Sequence, residues 1–412
     1  TFTAVSGGTI DIGGGNVTFT TSADDMIFST AAIVLSGDGT TTMTTGAGAG
    51  DITFASTIDG TGGSGENLVL ESGTGDITVP GAIGASSALG TLTMNTSGDG
   101  DITLTSNIGD GSGIGATTTA IGNTATADLN LNGTIYHTGD TTTFTAVSTG
   151  TIDLGGTSPT FTTTGDAITF ATAGVAIGDG TLTVNSAGGA ISFTGNITGT
   201  NNDETVVLNT GTSAANTETV AVQVIGGGGK VKAVTITGAD GVTLNGNITT
   251  ADVADNNVEI TGGVTLGAAV TIDTAGAASD GTITFNNGID GAQDLDLVSD
   301  DADIVITGAI GTTTALGSLD INVSTTQTGD ITLTGNIGAT NAGVTGVTRI
   351  GNVNTADLNL NGTVYKTDGA TTFTAVSGGT IDLGGTSPTF TTSADAITFA
   401  TAGVAIGDGT LT

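Results

Sequence analysis

Residues 126–183 return almost letter for letter as residues 355–412, an offset of 229 (355 − 126), with eight substitutions between the copies. A looser third copy opens the chain: TFTAVSGGTIDIGG from Thr1 matches TFTAVSTGTIDLGG from Thr143 and TFTAVSGGTIDLGG from Thr372. Tandem self-similarity of this kind means that each unit buries its apolar face against its neighbours, not within itself. The expected organisation is one continuous segment, 1–412, carrying long repeats at 1–142, 143–371 and, in part, 372–412. Opening inside one copy and closing inside another is what a window cut from a longer array would look like.

A shorter period runs inside the long one. Strand-like phrases beginning at Leu68 and Leu92, Leu182 and Val206, Val234 and Val258, and Leu295 and Leu319 are each 24 residues apart. A second phrase recurs as GDITVPGAIG from Gly75, GDITLTSNIG from Gly100 and GDITLTGNIG from Gly329. In DITLTSNI, strict alternation puts Ile102 and Leu104 on one face and Thr103 and Thr105 on the other. Thr, Ile and Val suit a pleated strand, and Gly-Asp supplies the turn before it. No helical periodicity of useful length appears. Rungs that repeat the same inward positions, such as Leu92, Met94, Ile102, Leu104 and Ile108, bury them by stacking, each strand parallel to its equivalent one rung on. The expected fold is therefore all-β: a parallel β-helix, or β-solenoid, with rungs of about 24 residues, drawn out into an elongated rod.

The Phe residues of the near-identical segments (Phe144, Phe161, Phe170, Phe373, Phe390, Phe399) are expected to fill a wider core cross-section. Intervals of 37 from Leu92 to Leu129 and 39 from Leu319 to Leu358 imply projecting loops at 110–127 and 339–356, the first places to look for partner contact. Asn107, Asn196, Asn247 and Asn336 share a corner position, where stacked amides would form a hydrogen-bonded ladder.

Charge excludes several partners. Acidic residues number 39 against four Lys and Arg, a net charge of −35, so nucleic acid and anionic membrane lack the basic cluster they require. No apolar run is long enough to insert in a bilayer. With no cysteine, disulfides and thiolate chemistry are ruled out.

Signals for catalysis are weak, and no catalytic residue is assigned. The single histidine, His137, is replaced by Lys366 in the second copy, which does not preserve imidazole chemistry; it is expected on an exposed turn. No cofactor is expected, although Ca²⁺ is one candidate. Asp99 and Asp101, and Asp300, Asp301 and Asp303, are candidate metal ligands because stacked turns would bring carboxylates together. Neither a calcium-binding nonapeptide nor a DxDxDG loop is present. Tyr136 and Tyr365, at equivalent repeat positions, are candidate sugar-stacking rings. The pairs Thr143/Thr145, Thr160/Thr162 and Thr372/Thr374 are similar to the TxT rows of ice-binding solenoids.

The phrases GDITLTGNIG from Gly329 and LDLVSDDADIVITGAIG from Leu295 resemble those of bacterial repetitive β-helical exoproteins of the filamentous-haemagglutinin and autotransporter-adhesin type. The resemblance spans the chain as a style of repeat. It implies a secreted or surface-anchored protein, an adhesin shaft or filament subunit without enzymatic activity. Its partners would be copies of itself, end to end or laterally, and surface glycans. The alternatives are a carbohydrate-binding or carbohydrate-cleaving β-helix and an ice-binding solenoid.

Overall fold

The computed structural model describes residues 1–62, 65–211, 218–324 and 328–412. The described residues contain strands and no helix, and their strands pair in parallel. The chain divides into two compact units, the first comprising 1–200 with 207–218 and the second 201–206 with 219–412. Each unit is a β-solenoid, a stack of coils whose strands form three parallel ladders.

In the first unit one ladder runs from Phe2–Thr3 through Met26–Ser29, Ile52–Phe54, Ile77–Val79 and Ile102–Leu104 to Ile197–Gly199. A second ladder includes Val17–Thr20, Glu66–Glu71, Leu89–Asn95 and Thr142–Thr145. The third begins at Thr9–Ile12 and Ala32–Leu35, narrows to single bridges at Ile83 and Ile108, and widens again at Ile135–His137. Register follows the apolar pattern: Leu68 pairs with Leu92, Ile77 with Ile102, and Ile52 with Ile77. A slip of one residue would turn every inward side chain outward. Leu92, Met94, Ile102, Leu104 and Ile108 are all buried, as their alternation requires.

The second unit is built in the same way. Val234 pairs with Val258, Leu295 with Leu319, and Ile304 with Ile331, and Ile310 and Ile337 form the single-bridge corner.

The aromatic rings form columns in the core. Tyr136 stacks on Phe161 at 4.5 Å, Phe144 on Phe170 at 5.2 Å, and Phe170 on Phe193 at 4.6 Å, with edge contacts between columns. Tyr365, Phe373, Phe390 and Phe399 repeat this arrangement in the second unit. Phe2, Phe19, Phe28 and Phe54 form a third cluster near the start of the chain.

The expected loops are not loops. Residues 110–127 contain the strand Ala116–Ile121, paired with Leu89–Asn95 below and Thr142–Thr145 above. Residues 339–356 contain Thr348–Ile350, paired with Leu319–Ile321 and Thr371–Thr374. The long intervals arose because Leu92 and Leu129 belong to different ladders; the residue stacked on Leu92 is Thr119.

Equivalent segments of the first unit also occupy different faces. Phe2–Thr3 lies in the first ladder, whereas its counterpart within Thr142–Thr145 lies in the second; Thr9–Ile12 lies in the third, whereas Thr151–Thr157 lies in the first. The later copy is thus turned by one face relative to the earlier one.

Candidate functional site: carboxylate columns and an acidic groove

At the corner entering the first ladder, one Asp per rung accepts a hydrogen bond from the backbone of the rung above. The N–H of Asp51 donates to Asp25, that of Asp76 to Asp51, that of Asp101 to Asp76, and that of Asp128 to Asp101, at 2.9–3.1 Å. Thr151 N–H closes the column on Asp128 at 2.6 Å. In the second unit Asp303 receives Asp330 N–H, Asp330 receives Asp357 N–H and Asp357 receives Thr380 N–H. The Asp before each of these strands, preceded by Gly at 51, 76, 101 and 330, therefore does more than turn the chain: its carboxylate satisfies an N–H that the corner would leave open.

Corner asparagines act in the same way. Asn107 accepts from Thr134 N–H at 2.9 Å and Ile135 N–H at 3.1 Å; Asn336 accepts from Thr363 and Val364, and Asn247 from Thr271 at 2.8 Å. At Asn107, Asn247 and Asn336 the expected amide-to-amide ladder is replaced by amide-to-backbone bonds to the rung above; the Asn196 side chain makes neither. Buried hydroxyls close a further set of turns: Ser72 donates to Gly75 O at 2.6 Å, Thr96 to Gly100 O at 2.7 Å, and Ser299 to Ala302 O at 2.6 Å.

The metal-ligand candidates separate on this framework. Asp99 sits exposed in a turn, while Asp101 is held in the column. Burial, together with the charges of Asp76 and Asp128, pushes the Asp101 carboxyl above the usual range despite its bond from Asp128 N–H. Asp301 accepts from Thr328 Oγ1 at 2.6 Å, Asp303 belongs to the second unit's column, and Asp300 occupies a positive-φ turn. Among the described residues no three acidic or His side chains are grouped to hold a metal ion.

Tyr136 and Tyr365, expected to offer a ring to a sugar, are core residues, 1% and 2% exposed. Each hydroxyl accepts a backbone N–H, from Gly133 at 2.9 Å and Gly362 at 2.8 Å. Burial raises both phenols well above their ordinary pKa. A ring packed against Phe161 or Phe390 has no free face for stacking on a ligand. His137 and Lys366 lie in short strands, Ile135–His137 and Val364–Lys366, and not on turns. Of the TxT pairs, Thr143/Thr145 and Thr160/Thr162 lie in different ladders, and Thr372 follows Arg349 in its column.

One concave feature was not foreseen from the sequence. In the second unit a groove of about 380 Å³ is lined by Asn247, Thr271, Asp294, Asp296, Ser318 and Asp320, among others. Asp296 and Asp320 are the outward residues of Leu295–Val298 and Leu319–Ile321, stacked in register, and Arg349 stacks on Asp320. Arg349 grips Asp320 with two guanidinium nitrogens, Nε at 2.8 Å. Asp296 has no such partner: its Oδ1 is shielded from solvent and unbonded. Burial, then the Asp320 charge, pushes its carboxyl up, with Arg349 opposing. The signal was present in LDLV and LDIN, where an acidic residue occupies the middle outward position 24 residues apart.

No family model, curated protein or solved structure matches the chain in comparison.

Proposed function

We propose that the chain is a structural, non-enzymatic segment of a bacterial extracellular repeat protein, serving as the shaft of a surface adhesin or as a filament subunit. What supports this reading is where the outward polar groups are engaged. The columns of Asp and the corner Asn bind the backbone of the next rung, so polar chemistry that could serve a ligand ties coil to coil. Load applied along such ladders is shared by backbone bonds, side-chain caps and apolar stacking. Negative-stain imaging of the native material is expected to find unbranched fibres; compact globular particles would sink the proposal.

The acidic groove favours a second reading, carbohydrate capture, in which sugar hydroxyls donate to the carboxylates of Asp294 and Asp296 that line it. Binding on a glycan array that disappears in Asp294→Ala and Asp296→Ala variants would support it. Arrays blank for the parent chain would remove it.

A further inference from the structure

Seven Asn-x-Ser/Thr triplets occur in the chain, beginning at Asn16, Asn95, Asn132, Asn196, Asn247, Asn322 and Asn361. This triplet is the acceptor sequence for sugar transfer to an asparagine amide. The fold treats the seven differently. Asn322 is fully buried, accepting from Ser299 N–H at 2.9 Å and donating to Ser299 Oγ at 3.0 Å. Asn16 and Asn247 hold the next rung's backbone through their amide oxygens. Asn95 is half-buried, and at 196–198 the threonine is half-buried. Among the described residues, only Asn132 and Asn361 combine an exposed asparagine, an exposed threonine two residues on, and a side-chain amide with no hydrogen bond in the chain.

Their setting is the same in both units. Each stands at the corner after a short strand, Leu129–Leu131 or Asp357–Leu360. The rung above carries glycine where the amide leans: a Cβ on Gly155 would lie 2.1 Å from Asn132 Oδ1, and one on Gly384 2.3 Å from Asn361 Oδ1. Gly133 and Gly362 are pinned by the buried tyrosine hydroxyls, so the corner presents its amide without being bound by it.

We infer that Asn132 and Asn361 are N-glycosylation sites, one per long repeat, taking a diphosphate-activated sugar as donor. In the transfer the amide nitrogen bonds to the anomeric carbon, the bond from that carbon to the diphosphate oxygen breaks, and the amide proton leaves with a base of the transferase. The inference rests on the proposed extracellular setting, but its test does not.

The purified folded chain would be incubated in two arms, one with a polyprenyl-diphosphate oligosaccharide and its membrane transferase, the other with a UDP-sugar and a soluble asparagine transferase. A peptide spanning residues 129–136 serves as the activity control in each. Peptide-mapping mass spectrometry is expected to find sugar on Asn132 and Asn361 in at least one arm, at ten or more times the occupancy of Asn322, and the arm identifies the donor. Asn132→Gln and Asn361→Gln should each remove one site. Modification of the control peptide with the folded chain left bare, or equal occupancy at Asn322, would overturn the inference; fibres in the imaging test would be unaffected by either result.

Discussion

At the scale of single residues, the fold uses its two tyrosines as internal braces. Tyr136→Phe keeps the ring stack but leaves the Gly133 N–H without its acceptor, at a cost of about 1–3 kcal/mol. Chemical denaturation should register this loss, and the same for Tyr365→Phe, while any sugar binding stays unchanged. Asp296 points the other way. The carboxyls of Asp101, Asp153 and Asp296 are raised, chiefly by burial, so the folded chain holds their protons more tightly than the unfolded chain does. Stability should therefore rise as pH falls from neutrality through these raised values toward the unfolded value of 3.8. Glu66, Asp110 and Asp252 are lowered by donated hydrogen bonds, and what they contribute is lost as pH falls through their unfolded values, 4.5 for Glu66 and 3.8 for the two Asp, toward the lower folded ones. Thermal melts should give a higher midpoint in the mildly acidic range above 4.5 than at pH 7, and Asp296→Asn should reduce the difference while raising the pH 7 midpoint. The inward positions of these rungs were legible because alternation encodes them. The burial of the tyrosines was not, since IYH and VYK read equally well with the ring inward or outward until the stack on Phe161 and Phe390 is known.

At the scale of the rung, tolerance should depend on register. Removing residues 77–101 would join Asp76 to Ile102 and leave Ile52 facing Ile102 in the register that Ile77 now holds. Whole-coil deletion is expected to preserve the circular-dichroism spectrum and cooperative melting, whereas deletion of 77–88, half a coil, should abolish both. Close approach sets a second limit. Gly84 has φ +64, and a Cβ there would lie 1.9 Å from Gly115 O; Gly311 repeats this against Gly343 O with φ +65. Gly84→Ala should lower the melting midpoint more than Ala at an exposed turn such as Asp99, because backbone cannot yield as a flexible side chain does. Sequence spacing disclosed the 24-residue coil wherever consecutive phrases shared a ladder, as Leu68 and Leu92 do. It misled where they did not, and a strand was mistaken for a loop at 110–127. The acidic groove stayed hidden for a related reason: Asp296, Asp320 and Arg349 become neighbours only once register is fixed.

At the scale of the whole chain, a charge of −35 opposes compaction, and the carboxylate columns add like charges about one strand spacing apart. Added monovalent salt should raise the melting midpoint of the chain until screening is complete, at around 0.5 M where the Debye length is well under 10 Å; a midpoint independent of salt would show that capping by backbone N–H already neutralises the columns. The turn of one face between the two copies in the first unit has a consequence for recognition. A flat partner that engages the later copy through its outward threonines meets, on the same side of the earlier copy, a different strand of the repeat. Repetition within the first unit therefore does not amount to multivalency: it distributes one motif over different faces of that unit, so that avidity for a planar surface is diluted and a binder reaching from several directions is favoured.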